Sequence, residues 1–114
     1  MNQNGAEAEQ AALVYLQQQG LKLLEKNYRC RYGEIDLVCQ DRQTLVFVEV
    51  RLRQNPRFGG AAASITAQKQ AKLIRAAQHY LGTRSNPPPC RFDVVLLQGM
   101  QPGQIEWIRD AFGA

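Results

Sequence analysis

The chain predicts an α/β fold in the order helix, three strands, helix, strand. Three observations predict it. Residues 6–19 and 66–82 carry apolar residues at helical spacing. Residues 34–40 and 45–52 alternate with a period of two. The second helix precedes another apolar run at 91–97, so it can act as a crossover that leaves the third and fourth strands parallel.

In the first helix Ala12, Leu13 and Leu16 share a stripe, and Gly20 suits its C-terminal end. Glu9 falls on the same stripe. An acid there reads either as a first-turn residue favoured by the helix dipole and still wet, or as part of a site. Residues 21–31 read as a mixed strand with a bulge or bend around Glu25-Lys26-Asn27. In the second strand Ile35, Leu37 and Cys39 are expected on one face, with Glu34, Asp36 and Val38 on the other. Asp41-Arg42-Gln43 forms a polar turn, which makes strands two and three an antiparallel hairpin. In the third strand Val46, Val48, Val50 and Leu52 oppose Phe47, Glu49, Arg51 and Arg53.

Residues 54–63 form a loop, and Ser64 or Thr66 can cap the second helix. Its apolar side is Leu73, Ala76, Ala77 and Tyr80. Its polar side carries Gln68, Lys72, Arg75 and His79, with Lys69 beside them. After a stiff Pro87-Pro88-Pro89 link and the strand at 91–97, residues 105–108 read as a short last strand and 110–112 as a turn.

At 114 residues the chain suits one compact domain, 1–114. With 45% hydrophobic and 21% charged residues it is neither disordered nor collagen-like. No apolar run approaches the ~20 residues of a membrane helix, and residues 1–4 do not look like a signal peptide. The net charge of +4 is compatible with nucleic-acid binding and with much else. Cys30, Cys39 and Cys90 have no metal-binding spacing, and are expected as buried, reduced thiols of a cytoplasmic protein.

The informative residues are Asp36 and Glu49, each mid-strand among apolar neighbours. Burying an unpaired carboxylate costs several kcal/mol, and two on one sheet face repel. A divalent cation between them removes both costs, and Mg²⁺ is commonly held by one or two carboxylates with water and phosphate. The alternative is structural pairing with Arg51, Arg53 or Arg31. Arg51, two residues after Glu49, emerges on the same face, where a cation can hold a scissile phosphate.

Gly33-Glu34-Ile35-Asp36-Leu37-Val38 and Val46-Phe47-Val48-Glu49-Val50-Arg51-Leu52-Arg53 resemble the signature of the YraN family of small bacterial proteins. The resemblance extends through Gly5 and Glu9, Gly59-Gly60-Ala61-Ala62-Ala63-Ser64, Lys69-Gln70, Cys90-Arg91-Phe92-Asp93-Val94-Val95, Glu106-Trp107-Ile108 and Asp110-Ala111-Phe112. It implies the restriction-endonuclease-like, PD-(D/E)XK superfamily, whose αβββαβ core has a mixed central sheet flanked by helices. It further implies a Mg²⁺- or Mn²⁺-dependent endonuclease acting on structured DNA, branched or flapped. Asp36 matches the metal-binding Asp, Glu49 the second acid, and Arg51 the usual lysine. Glu9 is similar to the first-helix carboxylate of archaeal Holliday-junction resolvases. Glu34 is either an outer metal ligand or a rim charge.

Arg51 departs from the pattern. Its pKa stays above about 12, so it cannot serve as a general base. It can still clamp phosphate while a metal-activated water attacks. Lys69 either supplies the missing ammonium or is a solvated helix residue. Gln68 and Gln70 are weak candidates for positioning water or phosphate. Lys69, Lys72 and Arg75, with Arg53 and Arg31, are the candidate phosphate contacts.

Tyr28 and Tyr32 flank Arg29 and Arg31 as an aromatic-basic cluster that can stack on bases. His79 reads as solvated, and Trp107 as a packing residue. A two-fold homodimer suits a small nuclease acting on two strands, although nothing in the sequence fixes it. The alternatives are a catalytically inactive nucleic-acid-binding protein of the same fold, motivated by Arg51, and a small adaptor that uses a sheet edge or the triple proline.

Overall fold

A computed structural model describes residues 3–52, 65–82 and 84–113. Arg53, Ser64 and the Gly59–Ser64 motif lie outside the described residues.

The elements are α1 (Gln3–Gln18), β1 (Lys22–Cys30), β2 (Gly33–Asp41), β3 (Thr44–Leu52), α2 (Ala67–Leu81), β4 (Cys90–Leu97) and β5 (Ile105–Phe112). They form one mixed sheet in the order β1-β2-β3-β4-β5. β3 and β4 run parallel, and the other neighbours are antiparallel. The hairpin and the α2 crossover therefore fall where the patterning put them. Among the described residues no helix is long and apolar enough to cross a membrane.

Each helix covers one face. Ala12, Leu13 and Leu16 of α1 pack on Leu37, Cys39, Val46, Val48, Val95 and Leu97. Leu73, Ala76 and Ala77 of α2 pack on Ile35, Val38, Phe47 and Phe92. The central strands are thus covered on both sides, which explains the nearly continuous apolar run in β4. α1 ends as a Schellman turn. Gly20 has φ 100, its N–H donates to the Gln17 carbonyl at 3.0 Å, and Leu21 N–H reaches the Leu16 carbonyl at 3.0 Å. At the other helix it is Thr66 that caps, its Oγ1 accepting from the Lys69 N–H at 3.1 Å.

Four expectations change. The alternation in β2 breaks at Asp36: Leu37 and Cys39 face α1, but Ile35 faces α2 together with Val38. The β2–β3 register runs from Asp41↔Thr44 to Leu37↔Val48. At Asp36 the side chain replaces the ladder, with Val50 N–H donating to Oδ2 at 2.8 Å. In β1 the bulge falls at Leu24, while Asn27 turns left-handed at φ 53.

The chain after 105 is one strand rather than a strand and a turn. Asp110 (φ 52) bulges out, and its N–H donates to Asp93 Oδ1 at 2.9 Å, after which pairing resumes at Phe92↔Phe112. All three cysteines are free, but Cys39 alone is buried; Cys30 is half-buried and Cys90 is exposed at the start of β4. Burial, assisted by the charge of Asp93, pushes the Cys39 thiol up to about 12, so it behaves as an inert core group.

Candidate active site

Where β2 and β3 part, a cavity of about 250 Å³ opens, lined by Gly5, Ala8 and Glu9 of α1, Asp36 of β2, Glu49, Val50, Arg51 and Leu52 of β3, and Lys69 of α2. Gly5 and Ala8 place little bulk at this spot, which leaves the acids reachable. The break in β2 has a direct consequence. Glu49 projects toward α2 and Glu9 comes from α1, yet both meet Asp36, because the parted strands no longer separate the two faces.

Asp36 and Glu49 lie within hydrogen-bond reach of each other. Glu49 is 5% exposed. Burial first, and then the Asp36 charge, push its carboxyl up to about 7, against the pull of Lys69 and Arg51. Burial also raises Asp36, opposed by the Val50 N–H. The pair therefore holds on to a proton where isolated carboxyls would not. Arg51 Nε donates to Glu49 Oε2 at 3.1 Å, and Lys69 Nζ lies 3.8 Å from the same oxygen.

Glu9 is half-buried and beyond the first turn, since α1 begins at Gln3. That removes its reading as a wet, dipole-favoured first-turn acid. Burial and the neighbouring Asp36 raise its pKa. Asn27 ties it in place: with its amide nitrogen toward the acids, it donates to Glu9 Oε1 at 3.0 Å and Glu34 Oε1 at 2.9 Å. The other Glu34 oxygen lies 3.6 Å from Arg29 Nε, so Glu34 stands at the rim. Asn27 is a site residue that the sequence reading passed over. Its signal was the irregularity in β1, at a residue type that tolerates a left-handed backbone.

The sequence candidates therefore divide. Glu9, Asp36, Glu49, Arg51 and Lys69 converge, with Glu34 at the margin. Lys72 and Arg75 are exposed on the outer face of α2, away from the acids, and Arg31 is exposed beyond β1. Lys69 is half-buried and engaged rather than a freely solvated helix residue. Its position follows from the Thr66 cap, which fixes the first turn of α2. Trp107 is a packing residue, donating from Nε1 to Asp93 Oδ2 at 2.9 Å. His79 is exposed yet not merely solvated, because its Nδ1 hydrogen-bonds the Tyr28 hydroxyl.

Residues 8–97, which include all five converging side chains, match the profile described as "Uncharacterised protein family UPF0102". The chain belongs to the UPF0102 family. A UPF0102 protein of Nitrosomonas europaea is 62% identical over 108 residues, spanning 95% of this chain and 92% of that relative. One from Cupriavidus metallidurans is 59% identical over 109 residues, spanning 95% of this chain and 79% of its own length. One from Methylobacillus flagellatus is 54% identical over 114 residues and covers both chains in full.

Among the described residues no three Asp, Glu, His or Cys side chains form a ready cation cage. The Asp36–Glu49 pair nonetheless suits a hard cation. It offers oxygen donors, two acids crowded together that a divalent charge would relieve, and an open cavity for water and phosphate.

Proposed function

We propose that this UPF0102 protein is a Mg²⁺- or Mn²⁺-dependent endonuclease that hydrolyses phosphodiester bonds in structured DNA, branched or flapped, on a restriction-endonuclease-like core. The observation that carries the reading is the contact between Asp36 and Glu49 at the point where the β2–β3 ladder opens. The pair stays raised in pKa although Val50 N–H meets Asp36 and Arg51 and Lys69 meet Glu49, and it faces a cavity.

Asp36 and Glu49 would hold the cation, which when bound would supply Lewis acidity toward phosphate and lower the pKa of water. The Val50 N–H fixes Asp36 Oδ2 and so orients that carboxylate. Arg51, permanently charged, takes a phosphate oxygen and the charge that builds on it. Lys69 supplies the ammonium that the strand position lacks. Glu9, with a raised pKa, can accept or return a proton from the α1 side.

The test is incubation of the purified protein with Mn²⁺ and a panel of junctions, flaps, single strands and RNA. Cleavage of branched or flapped DNA is expected, and both Asp36→Ala and Glu49→Ala should abolish it. An uncut panel would sink the reading.

One observation favours a second reading, a nucleic-acid-binding protein without activity. Arg51 and Lys69 both sit on Glu49 Oε2, so two side-chain cations already supply the positive charge that a metal would bring to this acid. Under that reading calorimetry finds no Mn²⁺ binding, and DNA affinity falls steeply with salt while Asp36→Ala leaves it unchanged.

A further inference from the structure

A second cavity, of about 510 Å³, lies between the β1–β2 turn and the outer face of α2, lined by Tyr32, Arg75, Gln78 and His79. The turn is held close to the helix. Gly33 has φ 151, and a Cβ built on it would lie 3.7 Å from Lys72 Cβ. The walls are ordered by mutual contacts. The Tyr32 ring meets His79 edge-on at 6.0 Å between centroids, the Tyr28 hydroxyl hydrogen-bonds His79 Nδ1, and the Arg31 guanidinium lies 4.9 Å above the Tyr32 ring. α2 carries Lys69, Lys72, Arg75 and His79 and no acidic residue.

These features match the parts of one nucleotide. Ring faces suit a base of any sequence, the Gln78 amide can pair with a base edge, and the guanidiniums suit phosphate. The cleft and the candidate active site are separate cavities joined by one helix, α2, which contributes Lys69 to one and Arg75, Gln78 and His79 to the other. Lys69 starts α2 beside Glu49, and His79 lies roughly 15 Å further along the helix at 1.5 Å per residue. That distance is about four nucleotides at 3.4 Å each along a strand. A base in a duplex is already paired and stacked, so the cleft suits an unpaired one.

We infer that the Tyr32–His79 cleft binds an unpaired nucleotide in the single-stranded part of a substrate whose neighbouring segment lies along Lys72 and Arg75 toward Asp36 and Glu49. The inference rests on the nuclease reading for the direction of that strand, but not for the occupancy of the cleft.

The test is fluorescence anisotropy in EDTA with a blunt DNA duplex, and with the same duplex carrying a short single-stranded DNA or RNA extension. Wild-type protein should bind an extended duplex about tenfold more tightly than the blunt one, as expected for one stacked base. Tyr32→Ala should erase that preference, and the exposed Gln78→Ala should reduce it. Circular dichroism melts of each variant separate lost binding from lost folding. Equal affinity for blunt and extended duplexes overturns the proposal, as does equal competition by polyglutamate, which would mean the cleft reads charge alone.

Cleavage of the same probes in Mn²⁺ keeps the two readings apart. Preferential binding of an extension that is never cut supports the cleft and removes the nuclease. Cleavage at an unchanged rate and position by a folded Tyr32→Ala protein supports the nuclease and overturns the proposed path of the strand from the cleft to the acids.

Discussion

Two places in this sheet bury acids, and they are built on opposite principles. Asp93 in β4 is 0% exposed and is surrounded by donors: Arg91 Nε at 3.0 Å and 3.2 Å, Trp107 Nε1 at 2.9 Å and the Asp110 N–H at 2.9 Å. Arg91 is anchored in turn by Asp41 at 3.0 Å. Glu49 and Asp36 instead face one another, and two cations crowd one oxygen of Glu49. Satisfied donors make an acid part of the framework. An acid left against another acid keeps a standing demand for a proton or a cation. The contrast separates a buried charge that serves folding from one that folding alone does not explain.

The strongest way to break the contrast is to exchange the roles. Asp36→Asn keeps an oxygen for Val50 and should lower cleavage at least about 1,000-fold, roughly 4 kcal/mol of barrier, with the melting temperature at pH 7 no lower than that of the wild type. Asp93→Ala should do the reverse. It strands Arg91 and should cost about 4 kcal/mol of stability, read by urea denaturation, while activity per folded molecule stays intact. If Asp93→Ala leaves stability alone, the framework role is wrong.

The pH dependence sharpens the same point. Glu49 is raised in the folded protein, from 4.5 to about 7. Its protonated form is therefore favoured by folding, and that contribution is complete below about pH 4.5 and lost as pH rises toward 7. Melting in EDTA should show wild-type protein losing at most about 3 kcal/mol across this window relative to Glu49→Gln. Mn²⁺ should restore the loss at pH 7. A smaller effect is expected at Arg51: Arg51→Ala should slow cleavage about 100-fold, as removal of one charge-stabilising donor does, with Mn²⁺ affinity retained.

Much of this was readable in the residues. The period-two pattern of 45–52 placed Glu49 and Val50 on opposite faces, and the helical stripe of α2 put Leu73, Ala76 and Ala77 inward. Periodicity reports burial, however, and assumes an unbroken ladder. It therefore placed Ile35 with Leu37 and missed the parting of the strands at Asp36. It also ended the last strand at Ile108, because an aspartate at 110 reads as a turn when its partner Asp93 is out of sight. Two of the three residues that donate to Asp93 lie 14 and 17 residues further along the chain, and Lys69 reaches Glu49 from another element. Such meetings are tertiary, and local patterning does not encode them.

The bond from Val50 N–H to Asp36 ties the chemistry to the fold in a way that bears on descent. Any residue at 36 without an acceptor would orphan a backbone donor, at a cost of about 1–3 kcal/mol in a domain whose whole stability is on the order of 5–15 kcal/mol. Drift away from an aspartate or asparagine here is opposed by folding itself, independently of any reaction at the site. Glu49 meets side chains instead, those of Asp36, Arg51 and Lys69. The residue that relatives carry at position 49 is therefore the sharper test of the proposed activity, and under that proposal a lineage without the reaction should lose Glu49 before it loses Asp36.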